Sequence, residues 1–277
     1  MNILQEIDNV FADEKIVYHY TKTQTAFEHI LHSNHLKLSI RKTSIDPIEN
    51  IINPIITNYI TENNSITNEE QNEISEFVTR NLKNIRQVCF CKNDQNININ
   101  NSQKIPYEYY GFMKPRMWDQ YGDKYNGVCL AFDIEKLKKN NPEIESNNIE
   151  YISYHDFKKD IFSIEHSEVK EIGMEKYCEK ILSNMKKYSF LKHQDYSGEN
   201  EYRFISLDKN YLNIKDSLKA IIVSERNLSP FARQQLENFA EINNIKYFQI
   251  NWESSGVRIS SLENLQSIRN FYKQIKR

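Results

Sequence analysis

An α+β fold in one continuous domain is the architecture this 277-residue chain predicts. Three observations carry that reading. Strand-like and helix-like apolar patterns occur in mixed order, without the regular alternation that a doubly wound parallel sheet needs. No Pro/Gly/Ser-rich linker and no internal repeat divides the chain, so one domain spans 1–277. Tyr (17) and Phe (14) are abundant while Gly and Pro number six each, a composition with enough bulk to build a core.

Taken in order, Leu4, Ile7, Val10 and Phe11 make one apolar helical face over Ile3 to Phe11. Lys15 to Thr21 is rich in β-branched and aromatic residues and reads as a strand. A helix starting at Thr23 or Thr25 buries Ala26, Phe27, Ile30 and Leu31. Leu36 to Ile40 is a second strand, leading into a turn or helix start at Asp46-Pro47-Ile48-Glu49. From about Glu49 to Ile85 the pattern is helical, interrupted at Thr61 to Thr67. Val88 to Cys91 is a short strand, and Asn93 to Gln103 is Asn-rich and loop-like. Tyr107 to Tyr121 is aromatic-rich and ends in a Gly-bounded turn, after which Gly127 to Asp133 is a buried strand. Ile149 to Tyr154 is a strand, and Ser167 to Tyr188 is helical. The tail alternates strand, helix and strand over Leu218 to Ser224, Ser229 to Ile242 and Lys246 to Ile250, closing with a helix from Leu262 to Ile275.

The charges nearly cancel, 36 basic against 38 acidic, so the overall field neither demands nucleic acid nor excludes it, and a basic groove would have to be local. Cys89, Cys91, Cys129 and Cys178 have no paired metal spacing. His29, His32 and His35 have helical spacing with no acidic or Cys partner tied to them, so no metal is expected. The amino-terminal segment lacks a basic start and a long apolar run, and no window is long enough to span a bilayer; a cytoplasmic protein with reduced thiols and no membrane partner is expected.

The stretch with the densest chemistry is Glu199-Asn200-Glu201-Tyr202-Arg203. On a strand, Glu199, Glu201, Arg203 and Ile205 would share one face, roughly 6.6 Å apart, with Tyr202 and Phe204 on the other. Two like charges raise each other's proton affinity, and an adjacent guanidinium lowers it again through paired hydrogen bonds. Polar residues in apolar surroundings recur at His19-Tyr20-Thr21, at Asp46 and Glu49, and at Trp118-Asp119-Gln120-Tyr121. Each has an ordinary structural explanation too: a core histidine, a helix start, an aromatic core and a solvent-facing ion pair.

In their order, Tyr18-His19-Tyr20-Thr21, Asp46-Pro47-Ile48-Glu49, Trp118-x-x-Tyr121, Gly127-x-Cys129-x-x-Phe132 and Glu199-x-Glu201-x-Arg203 resemble a family of bacterial proteins of uncharacterised function, from about Val17 to Ile250. The first strand and the Glu strand also resemble ADP-ribosyltransferases of the His-Tyr-Glu type, some of which modify nucleic acids. The resemblance implies a split central sheet whose cleft holds NAD as substrate, without a metal. It implies His19 as ligand of the adenosine-side ribose with Thr21 beside it, Glu201 as the catalytic carboxylate and Glu199 as the accessory one. Tyr121 would stack on nicotinamide, with Trp118 and Tyr125 as the alternatives, and Tyr20, Ser39 and Arg203 complete the cofactor side. Asp46, Glu49 and Arg116 stand on the acceptor side. The chemistry is consistent: breaking a nicotinamide–ribose bond develops positive charge on the sugar, as in glycoside hydrolysis, and an aligned carboxylate stabilises it. No Gly-rich phosphate loop is present, which argues against Rossmann and P-loop binding.

Lys104, Lys114, Arg116 and Lys124 bracket the aromatic segment, a pattern that suits a single-stranded nucleic acid groove and equally an ordinary solvated surface. The resemblance thus extends to an RNA- or DNA-modifying toxin or phage-defence effector, with a protein acceptor as the other option and an antitoxin docking on the polar helices of Glu49 to Ile85. Two other classes stay open on the residues: a metal-independent nuclease or NAD hydrolase using the same His and Glu, and a module that binds a nucleotide or phage component without chemistry.

Overall fold

The structure is a computed structural model describing residues 3–41, 58–59, 65–94, 97, 105–153, 155–156, 163–226, 228–254 and 256–275. Nine described strands form one mixed sheet: β1 (Ile16–Thr21), β2 (Ser39–Ile40), β3 (Arg86–Lys92), β4 (Val128–Asp133), β5 (Glu145–Asn148), β6 (Glu201–Ser206), β7 (Leu218–Ser224), β8 (Lys246–Glu253) and β9 (Gly256–Ser261). Their spatial order is β9-β8-β7-β4-β1-β3-β6-β5, with β2 also on β3. Within this sheet β7 and β8 run parallel, linked by the helix Pro230–Ile242, as a parallel pair requires a crossover. The other pairs are antiparallel, so the architecture is α+β.

Alternation along the strands loads both faces. Val17, Phe90, Leu130, Phe132, Phe204 and Ile221 belong to one core, covered by Ala26, Ile30, Leu137, Leu236 and Ala240 from three helices. Tyr18, Tyr20, Cys129, Ile222 and Phe248 belong to a second core, covered by Ile7 and Phe11 and by the aromatic segment Tyr109 to Trp118. Each fully buried side chain of this size contributes roughly 1.5–3 kcal/mol. Gly111 lets the aromatic segment lie flat: a Cβ there would come within 2.4 Å of Cδ2 of Tyr18. A third cluster joins Ile74, Val78 and Leu82 of the helix Asn68–Asn84 to Tyr177, Ile181 and Met185 of the helix Met174–Tyr188.

The middle of the sheet is laddered unevenly. β1 pairs with β4 along its whole length, from Ile16 opposite Asp133 to Thr21 opposite Val128. Towards β3 it has two pairs, Val17 with Lys92 and Tyr18 with Cys91. β3 then pairs with β6 over six positions, from Cys91 opposite Glu201 to Arg86 opposite Ser206. Two firmly bonded half-sheets therefore meet along a short seam, and the β1–β3 ladder ends just before His19.

Several boundaries differ from the sequence expectations. Asn58–Tyr59 is a short strand and not helix, and residues 42–57 and 60–64, with Asp46 and Glu49 among them, lie outside the described residues. The helical stretch before Tyr188 is two helices, His166–Ile172 and Met174–Tyr188, because Gly173 between them takes φ 85°, a conformation that breaks a helix and suits glycine. The strand carrying Glu201 begins at Glu201. Asn200 sits in the left-handed region (φ 47°), and Glu199 ends the 3₁₀ turn Gln194–Glu199. The two glutamates thus meet through a bend and not by alternation along one strand.

A candidate active site at the sheet seam

A cleft of about 1800 Å³ opens where β1 and β3 part, and residues from distant parts of the chain line it. β1 contributes His19 and Thr21, β2 contributes Ser39, and the Pro115–Gln120 helix and the residue after it contribute Arg116 and Tyr121. Glu199 and Glu201 line the same cleft.

His19 is half-buried. Its Nδ1 donates to the Cys89 carbonyl at 3.0 Å, which leaves the acceptor lone pair on Nε2, and its ring lies 5.6 Å from that of Phe90. Burial pushes its pKa below the usual 6.5, with the Cys89 bond pulling partly back, so the ring is neutral at pH 7. On the other side of Cys89, its side chain hydrogen-bonds Glu201.

Glu201 is the centre of a buried charge cluster. Its Oε1 accepts from Nε of Arg203 at 2.7 Å and meets Nη2 at 2.7 Å, while Nη1 of Arg203 is held by the Ser189 carbonyl at 2.7 Å. Its Oε2 accepts from Nζ of Lys192 at 3.1 Å, and its backbone N–H donates to the hydroxyl of Tyr151 at 2.8 Å. Burial pushes the carboxyl up, but Arg203 and then Lys192 outweigh it and hold the group at about 2. It stays an anion at any physiological pH.

Glu199 is held differently. Oε2 accepts from Lys192 at 2.7 Å, but Oε1 has a long contact to the Tyr121 hydroxyl at 3.4 Å and a looser one to Nη2 of Arg116 at 3.7 Å. Both of those partners are more than 40% exposed. Burial, followed by the Glu199 charge, raises the Tyr121 hydroxyl, so it acts as a donor. Tyr196 closes the rim, with Lys192 Nζ 4.6 Å and Arg116 5.4 Å from its ring centre.

The sequence-predicted residues separate into two groups. His19, Thr21, Ser39, Arg116, Tyr121, Glu199 and Glu201 converge on the cleft. Trp118 does not: it is fully buried, donating to the Phe112 carbonyl and meeting Tyr20 edge-on. Tyr125 packs between Trp118 and Trp252, away from the cleft lining. Tyr20 borders the cleft, but its hydroxyl is committed to the Gly111 carbonyl at 2.8 Å and its ring to the core. Arg203 is fully buried beside Glu201 and absent from the cleft lining.

The structure adds Lys192, Tyr196, Cys89 and Tyr151. Lys192 lies on a three-residue strand, Leu191–His193, seven residues before Glu199. Nothing in its spacing identifies it, because only the 3₁₀ turn folds the two acids back onto it.

Among the described residues no group of three or more His, Cys, Asp and Glu could hold a metal ion, and no helix is long and apolar enough to cross a membrane. Residues 117–204 match the model of a family described as a protein of unknown function, DUF2971. That match covers about a third of the chain and includes Tyr121, Lys192, Glu199, Glu201 and Arg203. No curated protein and no solved structure matches this chain.

Proposed function

We propose that the protein is an NAD-dependent mono-ADP-ribosyltransferase whose reaction takes place in the seam cleft. One observation carries the proposal: a neutral first-strand imidazole and two buried carboxylates line one cavity beside the two-pair ladder that joins β1 to β3. Pockets for drug-sized ligands run about 300–1,000 Å³, so a cleft of about 1800 Å³ accommodates a dinucleotide together with an acceptor group.

NAD supplies the nicotinamide–ribose bond, whose electron pair leaves on the ring nitrogen as neutral nicotinamide. His19 accepts a ribose hydroxyl at Nε2, the lone pair its Cys89 bond leaves available. The exposed ring of Tyr121 offers a stacking surface for nicotinamide. The carboxylates stabilise the charge developing on the sugar. As the acceptor bonds to the sugar, a carboxylate takes the acceptor's proton.

We favour nucleic acid as acceptor, RNA over DNA, in a toxin or phage-defence setting. Arg116 and the exposed Tyr121 ring stand together beside Glu199, a cation next to an aromatic face where an unstacked base could lie. The test is incubation with labelled NAD, followed by mass spectrometry of RNA, DNA and protein. Nicotinamide release with a mass increase of one ADP-ribose on an acceptor supports the proposal. Release without transfer indicates an NAD hydrolase, and intact NAD with cut RNA indicates a nuclease.

A further inference from the structure

Lys192 stands where an ammonium group is rarely buried without a purpose beyond packing. Its side chain is 6% exposed, with Nζ 2.7 Å from Oε2 of Glu199, 3.1 Å from Oε2 of Glu201 and 4.6 Å from the Tyr196 ring centre. An ammonium has three protons, and these three partners surround it. The two Oε2 atoms can be no further apart than those two contacts laid end to end, a separation at which two bare carboxylates repel strongly.

The two acids differ in what remains available. Both oxygens of Glu201 are in direct bonds, Oε1 with Arg203 and Oε2 with Lys192. Glu199 has one firm bond, to Lys192, and its Oε1 keeps the two long contacts to Tyr121 and Arg116. Contacts of 3.4 and 3.7 Å exceed a well-formed hydrogen bond, so an incoming hydroxyl displaces little when it takes that oxygen.

We infer that Lys192 is a positioning residue: it anchors Oε2 of Glu199 to the Glu201–Arg203 pair and thereby aims Oε1 of Glu199 at the ligand. The inference rests on the transferase proposal and makes Glu199 the acid that touches the reacting groups, with Glu201 as its foundation. Arg116 and Tyr121, the other groups facing Glu199, guide the ligand onto that oxygen and do not hold the carboxylate in place.

The test uses the full chain and five proteins: wild type, Lys192→Met, Lys192→Arg, Glu199→Gln and the double variant Lys192→Met/Glu199→Gln. Nicotinamide release from NAD gives kcat and KM, and calorimetry gives Tm. Lys192→Met is expected to lower kcat about 100-fold, the scale of a misaimed catalytic group, with KM changed less than about threefold. Lys192→Arg, which keeps a cation between the two acids, is expected to stay within about tenfold of wild-type kcat. The double variant is expected to melt above Lys192→Met, because neutralising Glu199 removes the repulsion left behind. A kcat for Lys192→Met within about threefold of wild type overturns the inference, as does a KM that rises as much as kcat falls. Should the wild type release no nicotinamide, the transferase proposal fails, and the Tm cycle alone decides whether Lys192 holds Glu199. Additive Tm losses there would overturn it.

Discussion

His19 and Glu201 are joined through one residue. The Cys89 carbonyl accepts from Nδ1 of His19 at 3.0 Å, and the Cys89 side chain hydrogen-bonds the carboxylate of Glu201. A residue from the start of the chain and one from far downstream are thus fixed against a common strand, each bordering the same cavity. Their roles can be separated by substitution.

Glu199→Gln and Glu201→Gln should fail in different ways. The first removes the charge of a carboxylate with one loosely held oxygen, and should abolish nicotinamide release with a small change in Tm. The second leaves the fully buried Arg203 without its anion, and breaking such a pair costs about 3–5 kcal/mol. Urea unfolding of both variants, run beside the NAD assay, checks this. Equal stability losses would contradict it.

Acid should act on the same pair. The Glu201 carboxyl lies at about 2 when folded and near 4.5 when unfolded, so the unfolded chain takes the proton first as pH falls. The stabilisation is complete above 4.5 and is lost between 4.5 and about 2. The shift corresponds to on the order of 3 kcal/mol. Stability measured from pH 6 to 2 should fall less steeply for Glu201→Gln than for the wild type.

His19→Ala should weaken NAD binding about tenfold while moving kcat little, the pattern of a group that holds a ribose hydroxyl equally in ground and transition states. Because burial lowers the ring's pKa, with the Cys89 bond partly opposing it, any loss of binding on acidification should set in at a lower pH than for an ordinary imidazole. Titration calorimetry at three pH values reads both effects.

The aromatic residues should divide by location. Trp118→Ala opens a cavity beside Tyr20 and should cost about 3–5 kcal/mol of stability. Tyr121→Ala should leave Tm nearly unchanged and raise KM for NAD, with Tyr121→Phe retaining most of the affinity because the ring face is kept. Tm and KM for the three variants decide it.

Much of the scaffold was legible in the sequence because apolar periodicity reports burial directly. Val128–Asp133, Leu218–Ser224 and Leu262–Ile275 lie where their patterns put them. Gly256–Ser261 was missed, since its exposed first half carries no alternation strong enough to read. In the candidate cleft, His19, Thr21, Tyr121, Glu199 and Glu201 are residues the sequence singles out, because polar residues in apolar strings stand out. Trp118, an alternative to Tyr121, lies in the core instead: an indole N–H can be satisfied there, as it is here by the Phe112 carbonyl. Lys192 was invisible because its meaning depends on Asn200, whose left-handed backbone sets Glu199 beside it, and no local pattern encodes that approach.

Two rungs between β1 and β3 also set how the molecule yields. A hinge needs an axis of few bonds between stiff plates, and Val17 and Tyr18 provide one between ladders of six pairs each. On warming, the facing edges of β1 and β3 beyond Tyr18 should take up deuterium before the β1–β4 border does. The crease runs along the wall of the cavity, so any widening that admits a bulky guest would bend the protein along this short ladder.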